Sequence, residues 1–281
     1  MKYSLIILAL TSLAYAEFEG DVDFRQLKIR QPKRKLDGKI EINERIVGGS
    51  VVPANSIPYQ AALIVTAQTG TYLCGGALIS PTNVLTAAHC LAGASQVQVR
   101  LGAHFWNINE ATQQRFITTN FIVHAGYDDE LVINDLAMIT LPTAAILNDY
   151  VQLATLPSYS DIGYSFVGYW GRVSGWGVIS DATQQGSENL RSVETEIITN
   201  LACNISFLGG IVATHICTSG FEGLGACSGD GGGPLVIGNK LVGIVSFALE
   251  LGCEAGWPTV YSRLTTFLDW IADHSDANIY P

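Results

Sequence analysis

Basic side chains are scarce beyond the first 45 residues of this 281-residue chain: residues 46–281 hold 6 Lys and Arg against 18 Asp and Glu. That balance repels polyanions, so nucleic acid and anionic membranes are excluded as partners. The plain consequence is solubility. The sharper one is survival in a protease-rich fluid such as gut contents, because few sites remain for proteases that cut after basic residues. Metal-ligand spacing is also missing, with no CxxC and no HxxxH, so neither a metal nor a cofactor is expected. No run approaches the ~18 consecutive apolar residues of a membrane-spanning helix. No internal repeat is legible.

The N-terminus reads as a secretory signal over residues 1–16. Lys2 gives the positive start, Leu5 to Leu10 the apolar stretch, and Ala14-Tyr15-Ala16 the small-residue cleavage site. The mature protein is therefore expected to be secreted and extracellular. Six cysteines then imply three disulfides, for which the residues alone leave 15 pairings open. Asn204-Ile205-Ser206 is the one acceptor for N-glycosylation. Residues 17–45 carry 8 Lys/Arg and 7 Asp/Glu in 29 positions, with little apolar periodicity. Such a stretch is expected to be exposed and mobile. It holds no cysteine to tether it.

From Ile46 the chain becomes short apolar runs separated by Gly, Pro, Asn and Asp. Gln60–Val65, Leu73–Ile79, Val84–Ala88, Val97–Leu101, Phe116–His124 and Leu136–Leu141 form one set of predicted strands. Val167–Trp176, Arg191–Ile198, His215–Thr218, Pro234–Ile237, Lys240–Phe247 and Thr259–Arg263 form a second. Many short strands with frequent turns argue an all-β fold, and two sets of six argue two packed six-stranded antiparallel barrels. Phe267, Trp270 and Ile271, at i, i+3 and i+4, predict a short C-terminal helix.

Three segments carry the chemistry. Thr86-Ala87-Ala88-His89-Cys90 ends a strand on a histidine, which alone reads as structural. Asn134-Asp135-Leu136-Ala137-Met138-Ile139 opens another strand on an aspartate, which alone reads as a cap. Cys227-Ser228-Gly229-Asp230-Gly231-Gly232-Gly233-Pro234-Leu235 follows. Together they stand in the order histidine, aspartate, nucleophile loop. This constellation resembles the chymotrypsin family of serine proteases across residues 46–281. Leu73-Cys74-Gly75-Gly76-Ala77-Leu78-Ile79, Val173-Ser174-Gly175-Trp176-Gly177 and Gly243-Ile244-Val245-Ser246 extend the resemblance.

The resemblance implies a role for each position. His89 is the base and Asp135 its orienting partner, while Gly229 and Gly231 offer the oxyanion N–H groups. Arg45-Ile46-Val47-Gly48-Gly49 resembles an activation site, so residues 17–45 are an activation propeptide. A trypsin-like protease would cut after Arg45, and the Ile46 amine would then pair with Asp230. The implied disulfides are Cys74–Cys90, Cys203–Cys217 and Cys227–Cys253. Gly225 forms the base of the specificity pocket, with Ala248 and Thr259 as narrowing walls and Phe247 where tryptophan is usual. No acid sits at that base to meet Arg or Lys.

One atom is missing from this machinery. Gly231 stands at the nucleophile position, and Ser228, three places earlier, lies in a different part of the loop. Loss of the serine from a comparable triad costs about 2 × 10⁶ in kcat. From a median near ~10 s⁻¹ that leaves on the order of 10⁻⁵ s⁻¹. Hydrolysis does not survive such a loss. The expectation is a monomeric, non-catalytic homologue that binds proteins, peptides or protease inhibitors as a decoy, cascade cofactor or recognition protein. The alternative is an active secreted endopeptidase of elastase- or chymotrypsin-like preference, hidden by an allelic or sequencing difference at codon 231. Asp128-Asp129-Glu130 reads as a solvated turn, or as an acidic cleft border that favours basic partners.

Overall fold

Turn-bounded apolar runs become two curled antiparallel sheets. The computed structural model describes residues 29–30, 34–35, 49–249 and 251–281. The expected signal segment 1–16, the Arg45–Ile46 junction and most of the expected propeptide, residues 17–45, lie outside the described residues. What is described of the propeptide is two short strands, β1 (Ile29–Arg30) and β2 (Arg34–Lys35), both paired to the sheets. The sequence predicts no strand in this segment, so these two pairings are additional to it. An extended backbone can satisfy its polar groups on a sheet edge without any apolar periodicity of its own.

After β3 (Ser50–Val51), the first sheet uses β4 (Gln60–Ala67), β5 (Gly70–Leu78), β6 (Asn83–Thr86), β7 (Ala94–Leu101), β8 (Gln114–Thr118), β9 (Phe121–Val123) and β10 (Ala137–Thr140). Their order is β8-β7-β4-β5-β6-β10-β9. The two end strands are consecutive in the chain, with only Thr119 and Asn120 between them. One bent strand thus serves both edges and curls the sheet round. Thr140 N–H donates to Asn120 O at 2.9 Å and Thr118 Oγ1 to Thr140 O at 3.0 Å, which pins the bend.

The second sheet uses β11 (Trp170–Gly175), β12 (Arg191–Ile198), β13 (His215–Thr218), β14 (Pro234–Ile237), β15 (Lys240–Leu249) and β16 (Thr259–Arg263). Its order is β15-β14-β11-β12-β13-β16, and β16 pairs back onto β15, so six strands close a barrel. Alternation is clean on β12, whose buried Arg191, Val193, Thr195 and Ile197 face one way.

The two cores are filled chiefly by side chains of their own sheets, with Val236, Leu241 and Ile244 of the second sheet joining the first. Leu63, Leu85, Val99, Leu136 and Met138 lie in the first core; Val173, Ile197, Ile216, Leu235, Val242 and Tyr261 lie in the second. Burying one such aliphatic chain is worth about 1.5–3 kcal/mol. The C-terminal helix appears as expected over Leu268–His274. It is α3, after α1 (Ala88–Leu91) and α2 (Asn200–Phe207). Phe267 and Ile271 reach the first core although the preceding strand, β16, belongs to the second barrel, so this helix ties the two together. Among the described residues no helix is long and apolar enough to cross a membrane.

Candidate functional site

β6 runs buried into the one-turn helix α1, and that turn places His89 between the barrels. Asp135 comes from the segment that enters β10, where Asn134 takes φ +53°, a conformation asparagine tolerates better than most residues. Both side chains are fully buried. His89 Nδ1 lies 2.7 Å from Asp135 Oδ2, and the His89 backbone N–H donates to Oδ1 at 2.8 Å. The carboxylate therefore grips ring and backbone together, which fixes the imidazole's orientation and leaves Nε2 for chemistry.

The second barrel completes the clasp with two serines that sequence reasoning assigned no role. Ser246 Oγ donates to Asp135 Oδ2, and Ser262 Oγ donates to Asp135 O at 2.7 Å. A signal was present, since Ser246 is the one polar residue in the run Leu241–Leu249. Burial alone would raise the Asp135 carboxyl. The electrostatic pull of His89 and the hydrogen bonds from His89 and Ser246 outweigh it and hold the carboxyl below its usual range.

The loop at Gly231 is braced from several sides. Gly231 O accepts from Gly75 N–H at 2.7 Å, Gly232 N–H donates to Val245 O at 2.8 Å, and Gly233 N–H donates to Asp230 O at 2.9 Å. A Cβ on Gly232 would fall 2.2 Å from Thr86 Oγ1, so that glycine is required by contact as well as by its φ of +78°. Gly229 also has a left-handed φ, +100°, whereas Gly231 is not among the left-handed glycines. Cys90 Sγ sits 3.6 Å from His89 Nε2 and 3.4 Å from Gly231 O, so the imidazole and residue 231 meet across one sulfur. The three disulfides are Cys74–Cys90, Cys203–Cys217 and Cys227–Cys253.

Asp230 is buried beneath this loop. Its Oδ1 accepts from Gly177 N–H at 2.7 Å and its Oδ2 from Cys227 N–H at 2.9 Å. Burial pushes its carboxyl up to about 6 against those two bonds, which act to lower it. Its expected partner Ile46, with Arg45, lies outside the described residues.

The residues expected to form the pocket are placed as follows. Gly225 and Thr259 are buried, and a Cβ on Gly225 would lie 2.7 Å from Thr259 Oγ1, so the threonine hydroxyl covers the pocket base. Ala248 is half-buried beside it. Phe247 turns inward and meets Phe207 and His215 edge-on, each at 5.4 Å. Asp128 Oδ1 accepts from the N–H groups of Glu130 and Leu131, so the acidic triplet forms a turn. Asn204 lies within α2, and its Oδ1 accepts from Ile211 N–H at 2.9 Å.

The comparisons with known proteins agree with one another. The family model described as Trypsin matches residues 46–271. Brachyurin of Leptuca pugilator is 43% identical over 226 residues, 80% of this chain and 96% of the relative. Chymotrypsin of Phaedon cochleariae is 38% identical over 282 residues, 98% of this chain and 99% of the relative. Among solved structures, HL collagenase superposes with a TM-score of 0.77 at 34% identity, covering 83% of this chain and all of its own.

Proposed function

The chain belongs to the trypsin family of chymotrypsin-like serine proteases, and from that premise we propose that it is a secreted, catalytically inactive member that acts by binding polypeptides in its cleft. The observation that carries the reading is Gly231. A glycine stands where the family's attacking hydroxyl belongs, beside a His89–Asp135 pair that keeps its hydrogen bonds. The histidine has no hydroxyl proton to take, so no acyl intermediate forms. What remains is a narrow apolar pocket, two strand edges and backbone N–H donors, the parts that bind rather than cut.

Residues 1–16 serve as the signal, 17–45 as the propeptide, and 46–281 as the binding domain. Cutting after Arg45 frees the Ile46 amine to pair with Asp230, whose buried carboxyl accepts hydrogen bonds from the backbone N–H groups of Gly177 and Cys227. Breaking such a buried pair from one side costs roughly 3–5 kcal/mol. The test is titration of a labelled cleft-directed polypeptide protease inhibitor into cut protein, uncut protein and cut Asp230→Ala. Tight binding by the cut protein alone is expected. Equal affinity in all three would refute the switch, and no binding by any would refute the binding role.

A second reading has its own support. Gly231 lies outside the left-handed region, so a serine fits its backbone, and the rest of the triad geometry stands ready. On this reading another allele encodes serine at position 231 and an active endopeptidase. Resequencing of that codon separates the two.

A further inference from the structure

The cleft between the barrels has two strand edges. One is β5 at Tyr72–Leu73, the other β15 at Ala248–Leu249, and the His89–Gly231 centre lies between them. Gly75, two residues along from Leu73, bonds Gly231 O. Val245, three residues before Ala248, bonds Gly232 N–H. An extended polypeptide that paired with both edges would have to pass across the centre.

The propeptide makes both pairings. Ile29 and Arg30 pair antiparallel with Leu249 and Ala248, and Arg34 and Lys35 pair antiparallel with Leu73 and Tyr72. Only Gln31, Pro32 and Lys33 separate the two anchors. His89, Gly229 and Gly231, at the centre, are all buried. An imidazole that served incoming chains through an open cleft would keep an exposed edge.

We propose that β1 and β2 of the propeptide occupy the cleft's two strand edges in the way an extended ligand would, denying those edges to other polypeptides until the propeptide is cut away. The proposal rests on the reading of this cleft as the chain's binding site. Adding a strand to exposed sheet edges gives affinity through the main chain, with little demand on side chains. Charge works in the same direction. Residues 24–39 carry seven Lys/Arg and one acid, while residues 46–281 carry twelve more acids than bases. Electrostatic attraction of that kind favours docking and weakens with salt. Release is equally built in, because the propeptide has no cysteine, and cutting after Arg45 leaves it held by non-covalent contacts alone.

The test is residue-resolved hydrogen exchange on the uncut chain, its Arg30→Pro/Arg34→Pro variant, and a chain lacking residues 27–37. Proline cannot donate to a ladder, and the deletion removes both anchors outright. Leu73 shares the strand parity of Gly75, so its N–H faces the cleft. We expect the amides of Leu73 and of Ala248–Leu249 to exchange at least tenfold faster in one or both variants, with β4 and β14 unchanged as controls. Unaltered exchange at those amides in both variants would overturn the proposal. Exchange reports the propeptide's position whatever else the cleft binds. Failure of a fluorescent peptide of residues 27–37 to bind the freed cleft of the deletion chain would count against the binding reading instead.

Discussion

Gly231 sets the chemistry, and its surroundings predict what a serine would restore. The backbone there is not left-handed, Gly231 O is held by Gly75 N–H, and His89 Nε2 lies across the Cys90 sulfur. Gly231→Ser therefore adds a hydroxyl to a loop already braced for it. In the cut protein we expect turnover of peptide amides at least ~10³-fold above the unchanged chain, a modest fraction of the ~10⁶ a triad serine is worth. Thr259 Oγ1 covers the Gly225 floor and no acid lies there, so small or medium apolar residues before the scissile bond should be preferred over Arg and Lys. Thr259→Gly in that background should shift preference toward aromatic residues. A preference for Arg would refute the pocket assignment.

Asp230 gives a prediction in pH at the same scale. Burial raises its carboxyl from 3.8 to about 6 in the uncut chain, so the folded state prefers the protonated form. Its contribution to stability is then full below 3.8 and is lost as pH rises through about 6. A two-unit shift corresponds to about 3 kcal/mol. After cleavage the Ile46 ammonium should depress the same pKa, so the contribution becomes one present above 3.8 and lost as pH falls. The melting temperature of the uncut protein minus that of uncut Asp230→Asn should therefore fall between pH 4 and 7, and the corresponding difference for cut protein should rise. A flat difference in both forms would mean that Asp230 is not the switch.

At the scale of elements, α3 carries more weight than its length suggests, because Ile271 and Phe267 enter the core of the opposite barrel. Ile271→Ala should cost about 2–5 kcal/mol, read by urea unfolding, and a loss below 1 kcal/mol would show that the helix merely rests on the surface. This helix was legible because its apolar spacing is helical. α2 was not: Leu201 and Ile205 point outward, 77% and 73% exposed, and its main local signal is the Thr199 cap on Ala202 N–H. Strand existence was readable from turn-bounded apolar runs, while strand ends were not. β5 starts at Gly70 because it pairs with Ala67 across the hairpin, although Gly70 and Thr71 carry no apolar signal. The predicted Phe116–His124 strand breaks at Thr119–Asn120, where bonds to Thr140 impose a bend that hydropathy cannot register. The site was legible in its motif residues, whereas Ser246 and Ser262 acquire meaning only when the second barrel closes over Asp135.

The whole molecule places the family's two-sheet frame around the loop that carries Gly231. The first barrel supplies His89 and Asp135, the second supplies the Gly231 loop and the serine clasp, and β1 and β2 each pair with one strand edge of the two sheets. On the proposed function, binding at the cleft is governed by cleavage after Arg45, and hydrolysis is lost for want of one hydroxyl. Both consequences meet in a single assay, covalent labelling by a fluorophosphonate probe, which requires an activated serine in an open site. Cut protein with glycine at 231 should take up no label, and cut Gly231→Ser should take up one label per chain. Stoichiometric label on the unchanged cut chain would contradict the inactive reading outright.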